Sequence, residues 1–231
     1  MNTSLPEQFQ EEFLFEMNGF TTQLCCSPES KELAFQLRYQ AYSSNQLIQP
    51  NEEEILKDIY DERSNSRTHL LWHEGIPVAS VRSSIWSAKY NWATTESIDE
   101  FYGDVATQVG LGYNILESCR FSLIPELKGR KALEAQLILF RVQDMSARFD
   151  ECQHIITAVR SKHTAFYERM LGFQVISAPK KIDWIEGDIV LLASPQTDDR
   201  YIFTRKGMPL CTAEELDRYA LLHHQMNAHV Q

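Results

Sequence analysis

The stretch from Leu116 to Phe173 constrains the fold more than any other part of the chain. It reads LESCRFSLIPELKGRKALEAQLILF, continues through HIITAV, and closes on FYERMLGF. The run over 115–124 has strand character and stops at Pro125, which cannot donate to a ladder. The spacing of Leu133, Leu137 and Phe140 predicts a helix from about Arg130 to Arg148, with those three on its buried face. A β-branched strand over 154–159 follows, then a helix over 162–171 ended by Gly172, then strands near 173–177 and 189–193. Strands alternating with helices imply an α/β or α+β sheet with helices on its faces.

The flanking regions carry local signals. Ser27 followed by Pro28 reads as an N-cap and first helical position leading into KELAFQLRYQAY, where Leu33, Leu37 and the run 39–41 suit the buried side. The acidic NEEEILKDIYDE segment reads as loop with some helix. HLLWHEGIPVASVRSSIW reads as two strands joined by a turn at Glu74 to Pro77. Thr212 and Glu215 form a capping-box pair that opens a terminal helix. The first residues are acidic and hold Phe9, Phe13, Phe15 and Phe20, so 1–26 is expected to be an N-terminal extension ahead of a single domain over 27–231.

Composition removes several functional classes. A chain of 231 residues, 43% apolar, supports a substantial core. No run approaches the roughly 20 apolar residues of a membrane span, and the start lacks the basic residues of a signal peptide. The expected compartment is the cytoplasm, with no transmembrane segment. The 5 cysteines are odd in number and, like the 7 histidines, show no ligand spacing, so no metal is expected. A formal charge of −10 argues against general nucleic-acid binding, which needs a basic face.

The order of strand, glycine-containing turn, helix, strand and FYERMLGF resembles the Gcn5-related N-acyltransferase superfamily. That resemblance implies a central mixed, mostly antiparallel sheet flanked by helices and splayed at the strand near 115–124. ELKGRK supplies Gly129 of the superfamily's pyrophosphate turn without its flanking pattern. LRYQAY, then DIYDERSNSRTHLL, ASVRSS and ESCRF are similar to the acyl-homoserine lactone synthases and the N-acyl amino acid synthases. YSSNQLIQP lacks the tryptophan common in the lactone synthases, which favours the N-acyl amino acid branch.

The resemblance implies an acyltransferase that moves a long acyl chain from acyl carrier protein to the amine of an amino acid. The donor would be acyl-phosphopantetheine on the carrier or acyl-CoA, with no permanently bound cofactor. It transfers Arg38, Asp58, Asp61, Arg82, Glu117 and Arg120 as site positions. An acetyl-CoA-dependent N-acetyltransferase, an acyl-homoserine lactone synthase and a non-catalytic acyl-binding module are the alternatives.

The chemistry assigns roles. An amine attacks a thioester only when unprotonated, so a carboxylate must accept its proton, and Glu117 is the candidate base. Strict alternation puts Glu117 and Arg120 on opposite faces of their strand, so bringing both to one cleft requires a bulge near Arg120. Backbone N–H groups near Phe121, Ser122 and Leu123 would receive the oxyanion and line the acyl arm. Tyr167, or a water, would protonate the leaving thiolate. Arg38, Arg82 and Arg120 could bind an acceptor carboxylate through the guanidinium fork, with Asp58 and Asp61 organising them. Lys128, Gly129, Arg130 and Lys131 would favour the phosphate of phosphopantetheine, or an acidic carrier.

Overall fold

The computed structural model describes residues 5–199 and 201–228; the ends of the expected extension and of the expected domain, 1–4 and 229–231, lie outside them. In chain order the strands are β1 (Phe13–Met17), β2 (Phe20–Leu24), β3 (Ser66–His73), β4 (Ile76–Trp86), β5 (Ile115–Leu123), β6 (His154–Arg160), β7 (Gln174–Val175), β8 (Lys180–Ile182) and β9 (Ile185–Pro195). The helices are α1 (Pro28–Ser44), α2 (Glu96–Glu100), α3 (Tyr102–Gln108), α4 (Gly129–Phe149), α5 (Thr164–Leu171), α6 (Tyr201–Thr204) and α7 (Ala213–Ala228). The strands hydrogen-bond in the order β1-β2-β3-β4-β5-β6-β9-β7, with β8 also on β9. β1–β2, β2–β3, β6–β9, β7–β9 and β8–β9 are antiparallel, and β5–β6 is parallel. This is the mixed, mostly antiparallel sheet with helices that the sequence implies.

Contacts divide the chain into two compact units. The first holds the described residues up to Arg82, Arg120–Val142 and those from Cys211 onward. Its core gathers Leu5, Phe9, Cys25, Ala34, Leu37, Leu70 and Trp72, so three residues of the expected extension pack into this unit. Burial pushes the Cys25 thiol well up, and Cys26 is pushed up to about 12 by burial and then by Glu12, so neither is a thiolate at neutral pH. Ser27 caps α1 by accepting from the Ser30 amide, and Thr212 and Glu215 exchange the two bonds of a capping box at α7. Glu74 and Gly75, both with positive φ, make the tight turn from β3 to β4.

The second unit holds Ser83–Cys119 and Gln143–Leu210. Ile98, Phe101, Val105 and Val109 of the α2–α3 region pack with Ile115, Ile156, Ile189 and Leu191 of the strands. The parallel β5–β6 ladder pairs only Ile115, Leu116 and Glu117 with His154, Ile155 and Ile156. β6 continues in register with β9 to Arg160, while β5 goes on to Leu123. Beyond Glu117 the β5–β6 ladder therefore stops, which is the splay the sequence implies.

Two expectations need correction. The 51–62 segment holds turns and no helix, because the Asn51 side chain takes the backbone of Ile55 through both of its polar atoms and competes with helical pairing. Leu133 is exposed, whereas Leu137 and Phe140 are buried; the stripe that faces the core begins two residues later, at Ala135.

Candidate functional site

Of the sequence-predicted residues, five form a salt-bridged cluster in the first unit, and Glu117 belongs to a smaller group of carboxylate and thiol donors in the second. In the first, Arg38 projects from α1, Asp58 and Asp61 from the following loop, Arg82 from β4 and Arg120 from β5. Arg38 Nη1 donates to Asp61 Oδ2 at 2.8 Å and to the Leu56 carbonyl at 3.1 Å. Arg82 Nη1 bridges the two acids, 2.7 Å from Asp58 Oδ1 and 3.0 Å from Asp61 Oδ1. Arg120 grips Asp58 Oδ2 through Nε at 3.0 Å and also through Nη2. The Asp58 amide donates to Asp61 Oδ2, which fixes the loop that carries both acids.

Burial raises the pKa of both aspartates, and the arginines outweigh it. Arg82 and Arg120 hold Asp58, and Arg38 and Arg82 hold Asp61, below the ordinary carboxylate range. Both acids are ionised at neutral pH. Arg38, Arg82 and Asp61 side chains are wholly enclosed and Arg120 is buried, while Asp58 keeps 21% of its side-chain surface, so the edge of the cluster that reaches water is Asp58, with Arg120 paired behind it. Arg120 has a φ of +54°, in the left-handed region that strands avoid. This left-handed residue interrupts the regular alternation of β5 at the position where the sequence argument asks for a bulge.

In the second unit, β5 carries Glu117, whose residue is 1% exposed. Its Oε2 accepts from the Ser97 backbone amide of α2 at 3.0 Å, while its buried Oε1 has no hydrogen-bond partner among the described residues. Glu96 and Cys119 bring a carboxylate oxygen and a sulfur into the same cluster, the three donor atoms lying within 4.8 Å of one another. A buried carboxylate held by one oxygen and open at the other is suited to receive a proton directly or through one water.

Sequence reasoning missed Glu96 and Ser97. The polar TTESIDE run signals a helix start, but nothing in it signals contact with a strand twenty residues later. Cys119 was legible as the same-face neighbour of Glu117 on a strand.

The remaining predicted residues lie elsewhere. Phe121 stacks on Phe140 with ring centres 4.9 Å apart, and Ser122 Oγ donates to the Arg120 carbonyl. Lys128, Gly129, Arg130 and Lys131 form an exposed turn at the start of α4. Arg130 and Lys131 both pair with Glu134, and the Arg130 hydrogen bond holds that carboxyl below its ordinary range. Lys131 also reaches the Asn18 carbonyl. The Tyr167 ring stands edge-on to Phe166 and Phe173, and Gly172 caps α5 at a φ of +70°.

The profile of the N-acyl amino acid synthase FeeM family matches residues 33–195, most of the chain and every polar residue of both clusters. The chain belongs to this family. Among solved structures, FeeM, an N-acyl amino acid synthase from uncultured soil microbes, is 18% identical with a TM-score of 0.62, covering 76% of this chain and 90% of that one. The acyl-homoserine lactone synthase LasI is 14% identical with a TM-score of 0.62, covering 84% of this chain and 98% of that one. BjaI, a CoA-dependent acyl-homoserine lactone synthase with SAM and isopentyl-CoA, is 14% identical with a TM-score of 0.57, over 83% and 91%. No curated protein sequence matches the chain.

Membership in the FeeM family makes this protein an N-acyltransferase of the N-acyl amino acid synthase type. The likenesses to solved structures bear out the Gcn5-related fold implied by the sequence. Among the described residues no helix is long and apolar enough to cross a membrane.

Proposed function

We propose that the protein transfers a long acyl chain from a carrier thioester to the amine of an amino acid, releasing an N-acyl amino acid and the carrier thiol. The observation that carries this reading is Glu117, enclosed at the point where the β5–β6 ladder ends, with one oxygen anchored on Ser97 and the other unpartnered. The amine nitrogen attacks the thioester carbon, Glu117 takes the nitrogen's proton directly or through a water, and the carbon–sulfur bond breaks. The backbone of Phe121, Ser122 and Leu123 serves the oxyanion and the acyl arm. Tyr167 or water returns a proton to the thiolate.

In this account Asp58, with Arg120 paired behind it, forms the edge that meets the acceptor. Arg38, Arg82 and Asp61 hold that edge in place, with three guanidiniums against two carboxylates leaving the group net positive toward an acceptor carboxylate. Acyl carrier protein is the proposed donor, met by the exposed turn Lys128 to Lys131 with Gly129 at its bend, and the cytoplasm is the proposed location. Acyl-CoA is the second donor to consider, because BjaI, of the same fold, is CoA-dependent.

The purified chain, supplied with palmitoyl carrier protein or palmitoyl-CoA and a mixture of amino acids, should yield a new acyl amide by mass spectrometry. Faster product formation from the carrier than from the CoA thioester supports the donor assignment, and the reverse order replaces it. No acyl amide from either donor overturns the reading.

A further inference from the structure

We propose that Glu96, Glu117 and Cys119 form a binding site for one thiophilic divalent cation of the zinc class, and that its occupation blocks acyl transfer; the inhibitory part rests on the role proposed above for Glu117. Three kinds of observation meet here. The first is proximity: a carboxylate oxygen from each glutamate and the Cys119 sulfur lie within 4.8 Å of one another. The second is that Glu117, 1% exposed, holds a buried oxygen without a hydrogen-bond partner, an acceptor whose burial costs free energy unless something positive or protonated meets it. The third is rigidity: the Ser97 amide fixes the other oxygen, and β5 sets Cys119 two residues on, along the same strand face.

The donor set selects the ion. Zinc binds thiolate sulfur at about 2.3 Å and carboxylate oxygen at about 2.1 Å, so the donors of a tetrahedral site stand roughly 3.5 Å apart. Closing from the present spacing requires movements of about an ångström or less, and Glu96 and Cys119 are both only partly buried. A thiolate ligand disfavours magnesium and calcium, which prefer all-oxygen shells. On binding, the Cys119 thiol releases its proton to water and the sulfur coordinates the ion. Three protein ligands leave a fourth position open, the arrangement of a site that exchanges its ion rather than a closed structural one. An ion there draws on the Glu117 carboxylate and removes its capacity to take up the amine proton.

The test is competition between the full chain and a chromophoric zinc indicator, using zinc chloride alone, for the unaltered protein, Cys119→Ser and Glu96→Gln. The expected result is one zinc per unaltered chain, held at least tenfold more tightly than by either variant. Equal uptake by all three proteins, or none by the unaltered chain, overturns the site. Because the indicator reports zinc without any turnover, this arm stands even if the acyl-transfer reading fails. In the activity arm, zinc should slow amide formation with half-inhibition tracking occupancy, and Cys119→Ser should need at least tenfold more zinc. Zinc bound at this site without inhibition would overturn the inhibitory part.

Discussion

The ionic cluster of the first unit and the Glu117 group of the second both bury carboxylates, and they treat them in opposite ways. Asp58 and Asp61 face three arginines and accept from two backbone amides, and even Asp61 Oδ1, which makes no hydrogen bond, lies 3.0 Å from the Arg82 guanidinium. Glu117 has one backbone donor and one open oxygen. An acid opposed by guanidiniums braces a fold. On the mechanism proposed above, the cluster is scaffold and acceptor edge, and Glu117 is the group that takes the amine proton.

Removing a single charge from each region should expose the contrast most strongly. Asp61→Asn leaves Arg38 and Arg82 with enclosed positive charge, and should lower unfolding free energy by about 3–5 kcal/mol in urea titration. Glu117→Gln keeps shape and its acceptor for Ser97, and should change stability by no more than about 1 kcal/mol. Equal losses would erase the distinction between the regions.

Acid should separate the two kinds of burial next. His69, enclosed on β3 and stacked on Tyr219, has a pKa lowered to about 3 by burial and then by Arg67. Its folded value lies below its unfolded value of about 6.5, so the unfolded chain binds its proton first. The stabilisation from neutral His69 is present above pH about 6.5 and is lost as pH falls toward the folded value, amounting to a few kcal/mol, on the order of 1.4 per pH unit. The depressed Asp58 and Asp61 give stability present above their unfolded value of about 3.9, lost only as pH falls below it. Urea midpoints measured from pH 8 to pH 3 should therefore decline in two stages. His69→Phe should remove most of the upper stage, leaving the part contributed by His154 and His163, whose pKa values burial also lowers; an upper stage of unaltered size would contradict the assignment.

The smallest effect belongs to the exposed α4 turn. Glu134→Gln breaks the pairs with Arg130 and Lys131, yet such solvated pairs contribute little, so the urea midpoint should stay within experimental error. A clear loss would show that the turn is a structural element rather than an available basic surface.

The parts of the molecule legible in the sequence are those specified by neighbours along the chain. Ser27 with Pro28, Thr212 with Glu215, Glu74 with Gly75, and Pro125 after an apolar run each act within a few residues, and each end or turn was read correctly. The buried stripe of α4 begins at Ala135, two residues after Leu133, and spacing alone does not say where cover begins. The Asp58 to Arg120 contact joins residues 62 apart, and family resemblance named both without giving their pairing. The Ser97 amide on Glu117 had no signal at all, since a backbone N–H leaves no trace in residue identity. The break in alternation at Arg120 was legible only as a requirement, because a left-handed arginine violates local preference and is held by the structure around it.

The measurement that bears most directly on the account is single-turnover acyl transfer by Glu117→Gln, with acylated carrier protein and the preferred amino acid in excess. With the fold verified by an unchanged urea midpoint, amide formation should slow about 10²–10⁴-fold while carrier binding stays the same. Transfer at the unaltered rate would contradict the assignment of Glu117 as the group that takes the proton.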